Sequence, residues 1–208
     1  VLSMAQNYPS ELPRQVCGKF SLEQYPETIM QALGIDSVHF KPRAEVFPGT
    51  DIAVAVHTDH GNELASMHWG WCRSFAKRPL INTRSAEAWE KKTWSESMHK
   101  RRCIIPASGF FEWDQNQPKG KKDCYKITPA DDDGFALGGI YEINADGEMF
   151  ASVLTTAPNE KMKSIHHRMP VIVNKDKFSE WFESDDRMAV TRLMQPLNSE
   201  GIELHKMQ

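Results

Sequence analysis

The chain has 208 residues, 40% of them hydrophobic and 25% charged, enough for one sizeable core and typical of a globular domain. Its 25 Lys and Arg against 28 Asp and Glu leave a net charge of −3, so any nucleic-acid contact must come from a local patch, not from a basic protein as a whole. No run approaches the ~18 apolar residues of a membrane span, and the 4 scattered cysteines offer neither metal-ligand spacing nor a disulfide framework, so no metal is expected.

Residues 1–16 are polar and broken by prolines, and read as a leader or a mis-annotated extension ahead of a domain over 17–208. They are followed by Cys17-Gly18, a dipeptide that leaves a thiol uncrowded and its backbone free to bend. A single cysteine is more often a small buried apolar residue than a nucleophile, so Cys17 needs partners to count as reactive. Ser21 and Gln24 form a candidate capping box for a helix carrying Leu22, Tyr25, Ile29, Ala32 and Leu33, stopped at Gly34. Pro48-Gly49-Thr50 ends a loop, and Ile52–Val56 and Leu64–Trp69 read as a hairpin around the turn Asp59–Asn62. Trp69 and Trp71, on either side of Gly70, divide evenly between core filling and a stacking surface for bases.

Asn82 and Arg84 precede Ser85, which can cap a helix running to about Lys100. A series of strands follows, over 109–113, 125–128, 135–143 and 150–156, with a turn at Asn144–Gly147, which indicates a meandering, largely antiparallel sheet. Glu112 is flanked by Phe110, Phe111 and Trp113. Facing inward it would be desolvated and suited to acid–base work; facing outward it is a surface charge. Ser164–Pro170 places His166, His167 and Arg168 ahead of an apolar strand, either as a proton shuttle with a phosphate clamp or as one buried and one surface histidine. Helices near 174–181 and 187–194 and a strand at 202–204 close the chain.

Cys17-Gly18-Lys19-Phe20, Pro48-Gly49-Thr50, Trp69-Gly70-Trp71, Pro79–Arg84, Gly109–Trp113 and Ile165–Pro170, in this order, resemble the SOS-response-associated peptidase (SRAP) family, whose members act as sensors and shields of abasic sites in single-stranded DNA. The resemblance implies a single α+β domain with a barrel-like, mostly antiparallel sheet flanked by helices. It implies Cys17 as nucleophile with Asn82, Glu112 and His166 around it, and Lys19, Trp69, Trp71, Arg84 and Arg168 at the DNA-binding surface. Single-stranded DNA with abasic sites is the implied partner, in the bacterial cytoplasm or nucleoid or from a phage gene, with no cofactor, no metal, no membrane and a monomeric protein.

The implied chemistry is a thiazolidine crosslink, which requires a free α-amine on Cys17 and is blocked while residues 1–16 are attached. A thiol peptidase, including one that cuts its own Val16–Cys17 bond, and a binding module without chemistry are the alternatives. Three departures stand out: the residues before Cys17, Glu45 where the family usually has Asn, and a short C-terminal segment without the family's closing strand pattern.

Overall fold

The structure, a computed structural model, describes residues 17–131 and 133–208, so the expectations for residues 1–16 lie outside the described residues. In chain order the elements are β1 (Phe20–Leu22), α1 (Glu27–Leu33), β2 (Arg43–Val46), β3 (Asp51–Thr58), β4 (Gly61–Trp69), β5 (Asn82–Arg84), α2 (Ser85–Ala88), α3 (Ser95–Lys100) and β6 (Arg102–Ala107). They continue with β7 (Gly109–Trp113), β8 (Cys124–Pro129), β9 (Phe135–Ile143), β10 (Met149–Thr156), α4 (Glu160–Lys163), β11 (Met169–Pro170), α5 (Phe178–Glu183), α6 (Arg187–Leu193) and β12 (Ile202–Lys206).

Strands β10, β4, β3, β6 and β9 hydrogen-bond in that order, and β9 pairs back onto β10, closing a barrel. Every seam of this ring is antiparallel except β4–β10, which is parallel, and β5 adds a second parallel ladder to β10. This is the α+β, barrel-like architecture implied by the sequence. Strands β3, β6, β9 and β10 bury both faces over most of their length. Ile52, Val54, Val56, Met67, Ile105, Leu137 and Val153 belong to one core cluster. Ala55, Ile104, Ile140 and Leu154 belong to another, with Leu33, Met98, Trp181 and Val190 from the helical shell. That double burial explains why Ile52–Val56 reads as a continuous apolar run and not as an alternation.

The second sheet, in the order β12-β8-β7-β1-β2, is antiparallel throughout and brings the Cys17 end of β1 beside β7. Phe110 and Ile127 pair across it and are both wholly buried in the first cluster. The register β1–β2 shifts between Phe20 and Leu22, an irregularity of the β-bulge kind that often lies beside a site.

Several local expectations change. Helix α1 starts at Glu27 with no side-chain cap, and Ser21 is buried in β1, so the Ser21–Gln24 capping box does not form. Gly34 does end the helix, at φ 70° in the left-handed region. The helix expected from Ser85 to Lys100 is two short ones, with Arg84 as N-cap of the first and no capping side chain. The C-terminal segment does carry a closing strand: β12 pairs with β8 from Ile202↔Pro129 to Lys206↔Tyr125.

Candidate active site

Strand periodicity decides the orientation of Glu112. It shares a face of β7 with Phe110, which is wholly buried, and Glu112 itself is only 2% exposed. Opposite it lies Cys17, wholly buried, with φ 50°. Cys17 is the one non-glycine among the described residues at positive φ, and this left-handed backbone costs a residue with a Cβ on the order of 1 kcal/mol or more. The conformation aims the backbone N–H of Cys17 at Glu112, which accepts it through Oε1 at 2.5 Å. On the other side of the carboxylate, His166 Nε2 is 3.7 Å from Oε2.

His166 is held by its own loop. His166 Nδ1 lies 3.1 Å from both the backbone nitrogen and the carbonyl oxygen of Arg168, which fixes the ring with its Nε2 edge toward Glu112. His166 Nε2 has no hydrogen-bond partner among the described residues, and the His167 ring stacks on His166 at 4.5 Å between centroids. The two-histidine motif thus resolves into a buried ring and an exposed one stacked on it.

Burial sets the electrostatics. Desolvation lifts the Glu112 carboxyl to about 8, with the Cys17 N–H pulling in the opposite direction. Burial and then the neighbouring His167 lower His166 to about 4. At pH 7 the pair is therefore a carboxylic acid beside a neutral imidazole. The Cys17 thiol is pushed well up by burial first and Glu112 second, so it rests as the thiol, not the thiolate.

Around this centre the basic residues divide. Arg168 is tied down: Nη2 donates to the Thr155 carbonyl at 2.5 Å and Nε to Thr155 Oγ1 at 3.1 Å. Arg84 pairs in register with the same Thr155 across the β5–β10 ladder, so the two guanidiniums flank the end of β10. The Arg84 charge adds to burial in lowering Arg168, and its own side chain is largely exposed with a long contact to Glu87 at 3.5 Å. Asn82 begins the same β5 strand, partly buried. Lys19 is different: its ammonium pairs with the Glu45 carboxylate and lies over the Phe111 ring.

Trp69 and Trp71 are both wholly buried. Trp69 donates Nε1–H to the Ile81 carbonyl at 3.1 Å and packs on Phe20, while Trp71 packs on Trp94 at 4.7 Å between centroids. They present no face to a base; the core-filling alternative is the one the structure has. The aromatic surface lies in the loop beyond them, between the bridge partners Trp71 and Leu80, where Phe75 is 70% exposed beside the exposed Lys77 and Arg78. In sequence the loop is marked by Phe75 among the basic residues Arg73, Lys77 and Arg78. Cys124 pairs with Trp113 across β7–β8, within electrostatic reach of Lys19, Glu112 and Glu45.

Among the described residues there is no cluster of three or more His, Cys, Asp or Glu able to hold a metal ion, and no helix is long and apolar enough to cross a membrane. Solved structures share the fold: a protein from Bacteroides thetaiotaomicron superposes with a TM-score of 0.76 at 20% identity over 92% of both chains. At the sequence level the chain is 30% identical over 92% of both chains to the abasic site processing protein YoqW of Bacillus subtilis. It is also 26% identical to the abasic site processing protein YedK of Escherichia coli, over 82% of this chain and 81% of that one. The family model described as "SOS response associated peptidase (SRAP)" matches residues 16–208, and the chain belongs to that family.

Proposed function

We propose that this protein senses and shields abasic sites in single-stranded DNA by forming a thiazolidine through Cys17 once the α-amine of that residue is free. The observation that carries the reading is the 2.5 Å approach of the Cys17 nitrogen to Glu112, with His166 against the other carboxyl oxygen. An abasic deoxyribose spends part of its time ring-opened as an aldehyde. A free α-amine has an ordinary value of about 7.7–8.0, so an appreciable fraction is neutral at pH 7, and Glu112 against that nitrogen is placed to take up and return its proton as the amine becomes a nucleophile.

The amine adds to the aldehyde carbon and water leaves, giving an imine. The Cys17 thiol then adds to the imine carbon, its proton passes to the nitrogen, and a five-membered ring closes. Glu112 carries protons to and from the nitrogen and the departing oxygen, and His166 assists at the sugar. Arg84, Arg168 and the Phe75 loop supply phosphate contacts and a stacking face, which a single strand with splayed bases can use. Cleavage by a thiolate fits less well, because burial and Glu112 both keep the Cys17 thiol protonated.

Protein beginning at Cys17, mixed with a single-stranded oligonucleotide bearing one abasic site, should give a heat-stable adduct on a denaturing gel. Cys17→Ala should abolish it, and Glu112→Gln should slow it by about 100-fold or more. Cleavage of added peptide with no DNA adduct would support the peptidase reading instead, and binding that survives Cys17→Ala with no adduct would support a module without chemistry.

A further inference from the structure

Lys19 lies two residues from Cys17, and its backbone carbonyl accepts the N–H of Phe111, next to Glu112. Its side chain is confined. The ammonium pairs with Glu45, sits 4.2 Å from the centroid of Phe111 and 5.4 Å from that of Phe47, and the side chain is only 14% exposed. Glu45 is the outer partner at 57% exposed, and Phe47 beside it is 42% exposed. The surface just outside the Cys17–Glu112 centre is therefore an exposed carboxylate and an aromatic edge, with the cation beneath them.

We propose that Glu45 is a resident competitor of DNA phosphate for Lys19, a specificity-determining residue that keeps this cation out of the DNA contact set. The inference rests on the reading of the protein as a single-stranded DNA binder. An ammonium pressed between two aromatic rings has lost much of its water, so it holds an anion more strongly than a free surface lysine does. Glu45 supplies that anion from within the chain, and a phosphate approaching Lys19 meets the carboxylate first. Arg84 and Arg168 have no such strong partner: Arg84 touches Glu87 only at 3.5 Å, and Arg168 is bound to the neutral Thr155. Affinity is thereby concentrated on the β10 side of the centre and withheld on the β1–β2 side.

The test is equilibrium binding of the full chain to an unmodified single-stranded oligonucleotide across a salt series, with wild type, Glu45→Gln, Lys19→Met and the double variant. Using intact DNA keeps the crosslinking chemistry out of the measurement. Freeing one lysine for one phosphate should tighten binding of Glu45→Gln by roughly 3–10-fold and steepen the slope of log K against log salt by about 0.7. Lys19→Met, which leaves the exposed Glu45 carboxylate unpaired, should bind no more tightly than wild type, and the double variant should lose the gain. Unchanged or weaker binding by Glu45→Gln, or a gain that persists in the double variant, would overturn the competitor role while leaving DNA binding intact. No salt-dependent binding by any of the four proteins would overturn both this inference and the reading beneath it.

Discussion

Two buried residues of the site, Glu112 and His166, contribute opposite pH dependences to the stability of the molecule. The buried carboxyl titrates at about 8 against an ordinary 4.5, so the folded state binds its proton more tightly than the unfolded state does. The stability this contributes is complete below pH 4.5 and lost as pH rises through 8. His166 runs the other way: with a value of about 4 against 6.5, its contribution is present above 6.5 and lost as pH falls through 4. In the chain with Cys17 in peptide linkage, urea unfolding should therefore show lower stability at pH 9 than at pH 6. Glu112→Gln, which stays neutral and can keep one contact to Cys17, should remove most of that fall and be more stable than wild type at pH 9 by roughly 2–4 kcal/mol. An equal pH 6-to-pH 9 loss in both proteins would mean that Glu112 is not held as the acid.

At the scale of elements, α3 and α5, which lack side-chain N-caps, share one buried cation at their C-terminal ends. Arg102 opens β6, and its guanidinium donates to the carbonyls of Met98, Trp181 and Ser184 and, at longer range, His99 and Phe182. These are carbonyls at the C-terminal ends of α3 and α5, groups a helix cannot satisfy internally. Arg102→Met should leave them buried without donors, costing about 2–4 kcal/mol and lowering the melting temperature by roughly 5–15 °C in a calorimetric scan. The break between α2 and α3 has a related cause. Trp89 and Trp94 are both 93% removed from solvent, Trp89 donating to Thr191 Oγ1 and Trp94 packing on Trp71. Five residues apart on one continuous helix they would point about 140° away from each other. Interrupting the helix lets both reach the core, a demand visible only once the partners Trp71 and Thr191 are in place.

For the molecule as a whole, the two sheets have different edges. The barrel closes on itself and has none, whereas the second sheet ends at β12 and β2. Strand β12 protects β8: Ile202 is wholly buried, and Lys161 Nζ donates to its carbonyl at 2.7 Å. Ending the chain after Gly201 should uncover the β8 ladder and the side of Ile127, lower the melting temperature and produce concentration-dependent aggregation in light scattering. Such a truncation works through the same sheet that carries Glu112 on β7, so its loss of adduct formation should track its loss of folded protein.

What the sequence determined by itself is the local part of this protein. The strands of the β3–β4 hairpin and of 109–156, the turns at Gly34 and Asn144–Gly147, and the small set of residues able to do chemistry were legible, because periodicity, turn residues and residue type act within a few positions. Tertiary structure decided the rest, since it depends on residues far apart in the chain. The raised proton affinity of Glu112 comes from burial in the folded core, and the hydrogen bond that opposes it comes from Cys17, 95 residues away. The burial of Trp69 and Trp71 comes from Ile81 and Trp94, and the confinement of Lys19 comes from Glu45 and Phe111. Desolvation is a property of what surrounds a group, and only the closed barrel with its second sheet supplies those surroundings.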